Sequence, residues 1–139
     1  MGFIQQLGFE FDVPHKFSWM VFFSSLLFLI PSIIYTCNGD PLMGLVFFIA
    51  CVFSLLGDSV ATDQPAAWTY DVLSATLVFF IMIARHFMAH PNASPLFFVK
   101  VLIPLCLFKY SSMSKTFEEW EWRHSLWHMV AVVIFVSEI

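Results

Sequence analysis

Two histidines four residues apart, His124 and His128, are the residues of this chain best suited to chemistry. On a helix this spacing stacks both imidazoles on one face, where both can reach a single ion. They stand at the start of an apolar run, Trp120 to Ile139, where ionisable side chains are costly and mark a functional site by default. Asp58 and Asp71 bracket an acidic stretch and could supply oxygen ligands; Ser54, one turn before Asp58, could orient a water. Zinc accepts such a mixture of nitrogen and oxygen and lowers the pKa of a bound water towards 7. The plainer alternative is a pair of interfacial histidines in an aromatic belt with Trp120, Trp122 and Trp127, and the residues alone leave both open.

Lys100 lies inside another apolar run. A lysine there either snorkels or finds a partner. A retinal Schiff base is disfavoured, because no counter-ion pattern accompanies it. Arg85, His86 and His90 follow the end of a span and read as interfacial. Lys100, Arg85, Trp120, Trp122 and Trp127 are thus the candidate contacts to lipid or to a partner. Glu118, Glu119 and Glu121 suit a solvated helix start, where acids complement the positive end of the dipole.

The elements that must position these groups follow from composition. The 139 residues are 60 % hydrophobic and 12 % charged, with 18 Phe. A soluble domain carries about 25 % charged residues, so lipid is the expected solvent for most of this chain. A span takes about 20 residues, which leaves no room for a catalytic domain outside the membrane. Net charge is −4 with six basic residues, which argues against a nucleic-acid partner. Cys37, Cys51 and Cys106 are odd in number and read as small core residues rather than a disulfide frame.

The chain is therefore expected to be all-α, a single polytopic membrane bundle over residues 1–139 with five spans at 17–36, 41–57, 70–83, 95–110 and 120–139. Residues 1–16 form a short interfacial segment, in which Glu10 and Asp12 argue against a transit peptide. Pro31 kinks the first span near its exit, and Pro104 kinks the fourth. Asp40-Pro41 and Ser94-Pro95 each set an N-cap before a proline at the first helical position. Asp58 to Thr69 reads as a polar loop, with Thr69 capping the third span. Thr116-Phe117-Glu118-Glu119 is a capping box that opens the last helix.

Lys16, Lys109, Lys115 and Arg123 fall on one side of such a bundle and Arg85 on the other, which sets its orientation. By parity, Asp58, Asp63, Asp71, His124 and His128 then approach one membrane face. Paired phenylalanines, Phe22-Phe23, Phe47-Phe48, Phe79-Phe80 and Phe97-Phe98, mark the first four spans. A lone bundle favours small residues at helix contacts, so these rings suggest burial against other membrane subunits, lipid or pigment.

His124-Ser125-Leu126-Trp127-His128 resembles the last motif of the ceramidase and adiponectin-receptor superfamily, CREST, a group of seven-span membrane hydrolases. The wording His-Ser-Leu-Trp-His-Met, with Asp63-Gln64-Pro65 and Tyr70-Asp71-Val72-Leu73, is similar to the branch of transmembrane protein eight and the post-GPI-attachment lipase. The likeness covers 47–77 and 122–133. The family signature is Ser-x3-His, an Asp in the next helix, and His-x3-His in the last. Anchored on Ser54, the resemblance puts Asp58 where the family has its first histidine. Anchored on Asp63-Gln64-Pro65, that histidine becomes Val60, the serine Leu56 and the aspartate Leu77. The second register is gap-free over two matched patches and is preferred. It leaves His124 and His128 alone of the metal set, and a zinc site needs at least three protein ligands.

The leading expectation is accordingly a non-catalytic accessory subunit of a large membrane complex, in contact with other integral subunits and lipids. The mitochondrial inner membrane comes first as its location, a thylakoid membrane second. No cofactor is expected beyond bound lipid. The alternative is a metal-dependent lipid amidase or acyl hydrolase using zinc at His124, His128, Asp58 and Asp71.

Overall fold

The computed structural model describes residues 16–92 and 94–139. The expected interfacial segment falls outside them, Lys16 apart. Among the described residues every regular element is helical: α1 (Trp19–Leu26), α2 (Leu29–Cys37), α3 (Pro41–Leu55), a π-helical turn (Leu56–Val60), α4 (Pro65–Ala89), α5 (Pro95–Ser112) and α6 (Phe117–Ser137). Among the described residues, four helical stretches are long and apolar enough to cross a membrane: Trp19–Cys37, Pro41–Val60, Ala66–Ala89 and Pro95–Ser112. The expected fifth span is α6, 21 residues long, with Glu118, Glu119, Glu121 and Arg123 in its first two turns.

Local chemistry explains most boundaries. Ser18 caps α1 by accepting from the Val21 amide at 3.1 Å. The first span breaks at Leu27 and Phe28, in its middle and one turn before Pro31. Proline lacks an amide and crowds the carbonyl four residues earlier, here that of Leu27. The expected kink near the exit therefore lies earlier in the chain. Asn38-Gly39 turns the chain with Gly39 at φ 85°, a conformation glycine adopts freely. Asp40 then caps α3 through the Met43 amide at 3.1 Å. Thr116 caps α6 through the Glu119 amide, and Glu119 reaches back to the Lys115 amide at 2.9 Å.

The segment after α3 departs from expectation. Residues 58–69 are largely helical rather than a loop: the π turn holds Asp58, and α4 begins at Pro65. Gln64-Pro65 is a third cap-and-proline start, without a side-chain cap. It pre-empts Thr69, so the third span gains a turn or more at each end. A π turn, with the Ala61 amide on the Leu56 carbonyl at 2.7 Å, inserts one residue into the helical ladder and often marks a functional site.

Helix α6 is the centre of the bundle. It packs against α1, α2 and α5, and its Phe135 ring meets Phe47 of α3 and Phe79 of α4. α4 packs on α3 and the π turn. Two glycines allow close approach. A Cβ on Gly44 would lie 2.0 Å from Thr36 Oγ1, and one on Gly57 would lie 2.9 Å from the Ala67 carbonyl and from Asp71 Cβ. In lipid, burying apolar side chains drives association weakly, so tight packing and buried polar contacts carry it. The phenylalanine pairs split, since neighbours on a helix diverge: Phe47 and Phe97 are buried, while Phe23, Phe48, Phe80 and Phe98 face outward. The cysteines are free; Cys51 is buried as expected, but Cys37 and Cys106 are exposed.

Candidate functional site

The groups singled out on the sequence converge inside the bundle. α6 presents His124 and His128 on one face, and the π turn aims Asp58 between them. His124 Nε2 lies 2.8 Å from Asp58 Oδ2, and His128 Nε2 lies 3.5 Å from the same oxygen. One ligating atom from each residue lies within 4.8 Å of the others, an arrangement able to hold a metal ion. All three side chains are fully enclosed, which sets aside the interfacial-pair alternative.

Ser54, one turn before Asp58 on α3, sits 3.3 Å from both Asp58 Oδ2 and His128 Nε2. Asp71, buried on the second turn of α4, adjoins Asp58. Gly57 makes this possible: any side chain there would push against Asp71 Cβ. Ser54 and Asp71 share the wall of a small cavity of about 10 Å³, room for about one water molecule. Asp63, the remaining acid expected on this face, is exposed and accepts from Gln64.

The outer nitrogens of both rings are held. His128 Nδ1 lies 2.9 Å from Ser24 Oγ, whose own proton goes to the Val21 carbonyl at 2.9 Å. Ser24 is therefore an acceptor towards the ring, which puts the proton on Nδ1 and leaves the Nε2 lone pair facing Asp58. His124 Nδ1 lies 3.1 Å from Ser111 Oγ on α5. Hydrogen bonds to the outer nitrogen are what metal-ligating histidines characteristically carry. Asp58 is buried against a second carboxyl, Asp71, and hydrogen-bonds with it. Two adjoining carboxyls in an apolar interior are costly unless a proton or a cation is shared between them. The donor set fits a divalent cation.

The preferred sequence register does not describe this centre. Val60 and Leu77, which it put at ligand positions, are 61 % and 57 % exposed and face away. Ser54 and Asp58, on which the other register is anchored, are brought together with His124, His128 and the remaining candidate ligand, Asp71. Two of the expected surface tryptophans also lie elsewhere: Trp120 stacks on His124 at 4.9 Å, and Trp127 packs against His128 at 4.8 Å. Both wall the site and are 1 % and 4 % exposed, whereas Trp122 is 44 % exposed. Burial in α6's inward face removes Trp120 and Trp127 from any outer contact surface.

Lys100 and Arg85 find partners inside the chain. Lys100 Nζ binds Glu138 Oε1 at 2.6 Å, and His86 Nδ1 approaches Glu138 Oε2 at 2.9 Å. Arg85 pairs with Asp40 Oδ2 at 2.7 Å. Glu138 caps the C-terminal end of α6, beyond His128, so two of these pairs tie that end of the bundle together. Three serines carry no signal of their own in the sequence: Ser24, Ser111, and Ser25, whose Oγ accepts from Ser54 Oγ at 3.0 Å. Only the adjacency of Ser24 and Ser25, midway along an apolar first span, is an available signal, since hydroxyls at membrane depth face the bundle interior.

Comparison with known protein families, characterised proteins and solved structures finds no match to this chain.

Proposed function

We propose that the protein is a metal-dependent hydrolase of the membrane interior, cleaving an amide or ester bond of a lipid. One observation carries this reading: Asp58, His124 and His128 converge on one enclosed point, with Ser24 holding the outer nitrogen of His128 and Ser111 that of His124. Asp58 Oδ2 and the two Nε2 atoms would hold a zinc ion, three protein ligands being the usual number for a catalytic site. When bound, zinc supplies Lewis acidity and makes water nucleophilic near neutral pH.

The chain's own residues account for the rest. Ser54 and Asp71 line a cavity sized for one water and orient it. Asp71 is close enough to the cluster to take a proton from that water and return it to the departing amine or alcohol. The surrounding rings of Trp120, Phe28 and Trp127 exclude bulk water, which strengthens each electrostatic contact. The resemblance to the CREST superfamily in its serine-anchored register supports a place in the site for Ser54 and Asp58, with Asp58 standing where that family has a histidine.

The test is hydrolysis by the purified, zinc-supplemented protein. A panel of N-acyl and ester lipids is expected to release fatty acid, with activity lost in His128→Ala and reduced at least a hundredfold in Asp71→Asn, in line with removal of an acid–base group (about 10²–10⁴). A wild-type protein that binds zinc yet cleaves none of the panel contradicts the reading.

A second reading, the accessory subunit of a membrane complex in an energy-converting membrane, is favoured by the outward rings Phe23, Phe48, Phe80 and Phe98. It predicts a protein that co-purifies with partner subunits and is unstable alone in detergent. A stable, monodisperse protein on its own contradicts it.

A further inference from the structure

Helix α5 is attached to the bundle differently on the two sides of Pro104. Its second half is bound to α6: Phe108 meets Trp127 at 5.4 Å, the Arg123 guanidinium lies 4.1 Å over the Tyr110 ring, and Ser111 reaches His124 at 3.1 Å. Pro104 stands inside the helix and has no amide to give the Lys100 carbonyl. The helical ladder is broken there, so the two halves can bend relative to each other. The first half, 95–103, turns Leu96, Phe98, Val99 and Leu102 outward. Beneath it a cavity of about 20 Å³ lies between Met82 and Ile83 of α4 and Ile134 of α6. α4 itself packs on α3 and the π turn, and α5 on α6, so the seam between α4 and α5 is incompletely filled.

What fastens the first half of α5 is a cluster around His86 of α4. The His86 ring lies parallel to Phe97, with centroids 3.5 Å apart, and its Nδ1 is 2.9 Å from Glu138 Oε2. Lys100 Nζ donates to the other oxygen of that carboxylate at 2.6 Å and to Ser137 Oγ at 3.2 Å. One histidine thus touches α5 through Phe97, and α6 through the carboxylate that also holds Lys100. Beside it a polar pocket of about 200 Å³, lined by Tyr35, Arg85, His90 and Glu138, gives water a place next to the ring. The fixed charges of this cluster are already matched, Arg85 with Asp40 at 2.7 Å and Lys100 with Glu138. What the cluster can still take up is a proton, on His86 or on His90, whose rings lie 5.1 Å apart. Of the two, His86 is the one against Phe97 and Glu138.

We propose that residues 95–103 form an arm hinged at Pro104, and that protonation of His86 latches this arm against α4 and α6. The added charge strengthens both contacts. The bond to Glu138 becomes charge-assisted, about twice as strong as a neutral one, and a cation over an aromatic face is attracted to it. Arg85 and Lys100 oppose the charge on His86, while Asp40 and Glu138 offset them. Histidine changes charge between about pH 5 and 8, so the latch slackens and the seam widens as pH rises through that interval. In stronger acid Glu138 takes a proton as well and the latch is lost again. The device goes beyond the hydrolase reading and needs no metal.

The test is the distance between two spin labels in the full chain, reconstituted in nanodiscs at about pH 5 and about pH 8. All samples carry Cys37→Ser, and Cys51 is buried. Phe80→Cys on α4 is paired either with Val99→Cys on the arm, in Cys106→Ser, or with the native Cys106 beyond the hinge; all three positions are exposed. The distance from 80 to 99 is expected to lengthen at the higher pH, and that from 80 to 106 to stay constant. His86→Phe keeps a ring on Phe97 but takes no proton, and Glu138→Gln removes the charge. Each is expected to show the longer distance at both pH values, and either one carries the test if the other fails to fold. His90→Gln is expected to respond as the wild type does. Equal distances from 80 to 99 at both pH values in the wild type overturn the latch. So does a response that survives in His86→Phe or disappears in His90→Gln. A distance from 80 to 106 that changes as much as that from 80 to 99 overturns the hinge at Pro104.

Discussion

Ser24 Oγ accepts the Nδ1 proton of His128 at 2.9 Å while giving its own proton to the carbonyl of Val21. One hydroxyl thus fixes the imidazole's tautomer and its tilt, from a residue 104 positions away in the chain. Removing it in Ser24→Ala frees the ring to rotate and to take the other tautomer. Zinc affinity is expected to fall about 10- to 100-fold, the usual cost of losing such a partner. Chelator competition measures this; a variant with wild-type affinity shows that Ser24 serves packing alone.

Gly57 and Asp71 give the second prediction. A Cβ at position 57 would lie 2.9 Å from Asp71 Cβ and from the Ala67 carbonyl, part of which is backbone that cannot yield cheaply. Gly57→Ala is expected to destabilise the protein by about 1–3 kcal/mol through overpacking, and to move Asp71 away from the cluster. Unfolding in mixed micelles measures the first effect. The second shows as a larger loss of hydrolysis than of zinc binding.

The bundle's other end should respond independently. Glu138 bridges Lys100 and His86 at 2.6 and 2.9 Å and is only partly buried. Glu138→Gln is expected to cost about 1 kcal/mol or less, as for semi-exposed ion pairs, and to leave zinc binding unchanged. A large loss of zinc in this variant would mean the two ends are coupled in a way the packing does not suggest.

Much of this was legible in the residues. Composition and hydropathy gave the membrane class, and the Asp40-Pro41, Ser94-Pro95 and Thr116 to Glu119 signals marked helix starts that the structure reproduces. Gln64-Pro65 is a weak start signal because glutamine is a poor capping side chain, and the first turn of α4 forms there without a side-chain cap. Asp58, Asp71, His124 and His128 are legible as candidates by residue type and spacing, and the structure brings them together, with Asp63 left exposed. What the sequence did not disclose was the π turn. A one-residue insertion in the helical ladder leaves no compositional mark, yet it decides whether Asp58 or Val60 points inward. Neither could spacing reveal Ser24 and Ser111, whose role depends on helices meeting across the bundle.

Asp58→Asn separates a metal centre from a structural ion pair. Asparagine keeps the shape and can still accept from His124 Nε2, so a purely structural role predicts a folded protein with a modest stability loss. The metal reading predicts the same fold with zinc affinity sharply reduced, because the charged ligand has gone. Circular dichroism and metal content on one preparation distinguish them.

The central claim is that Asp58, His124 and His128 form a metal centre, and metal analysis of the purified wild-type chain tests it most directly. The account predicts about one zinc per chain, consistent with a three-ligand site, retained through dialysis and lost in His124→Ala and His128→Ala. A folded wild-type protein that holds no divalent metal, even after exposure to excess zinc at neutral pH, would contradict it.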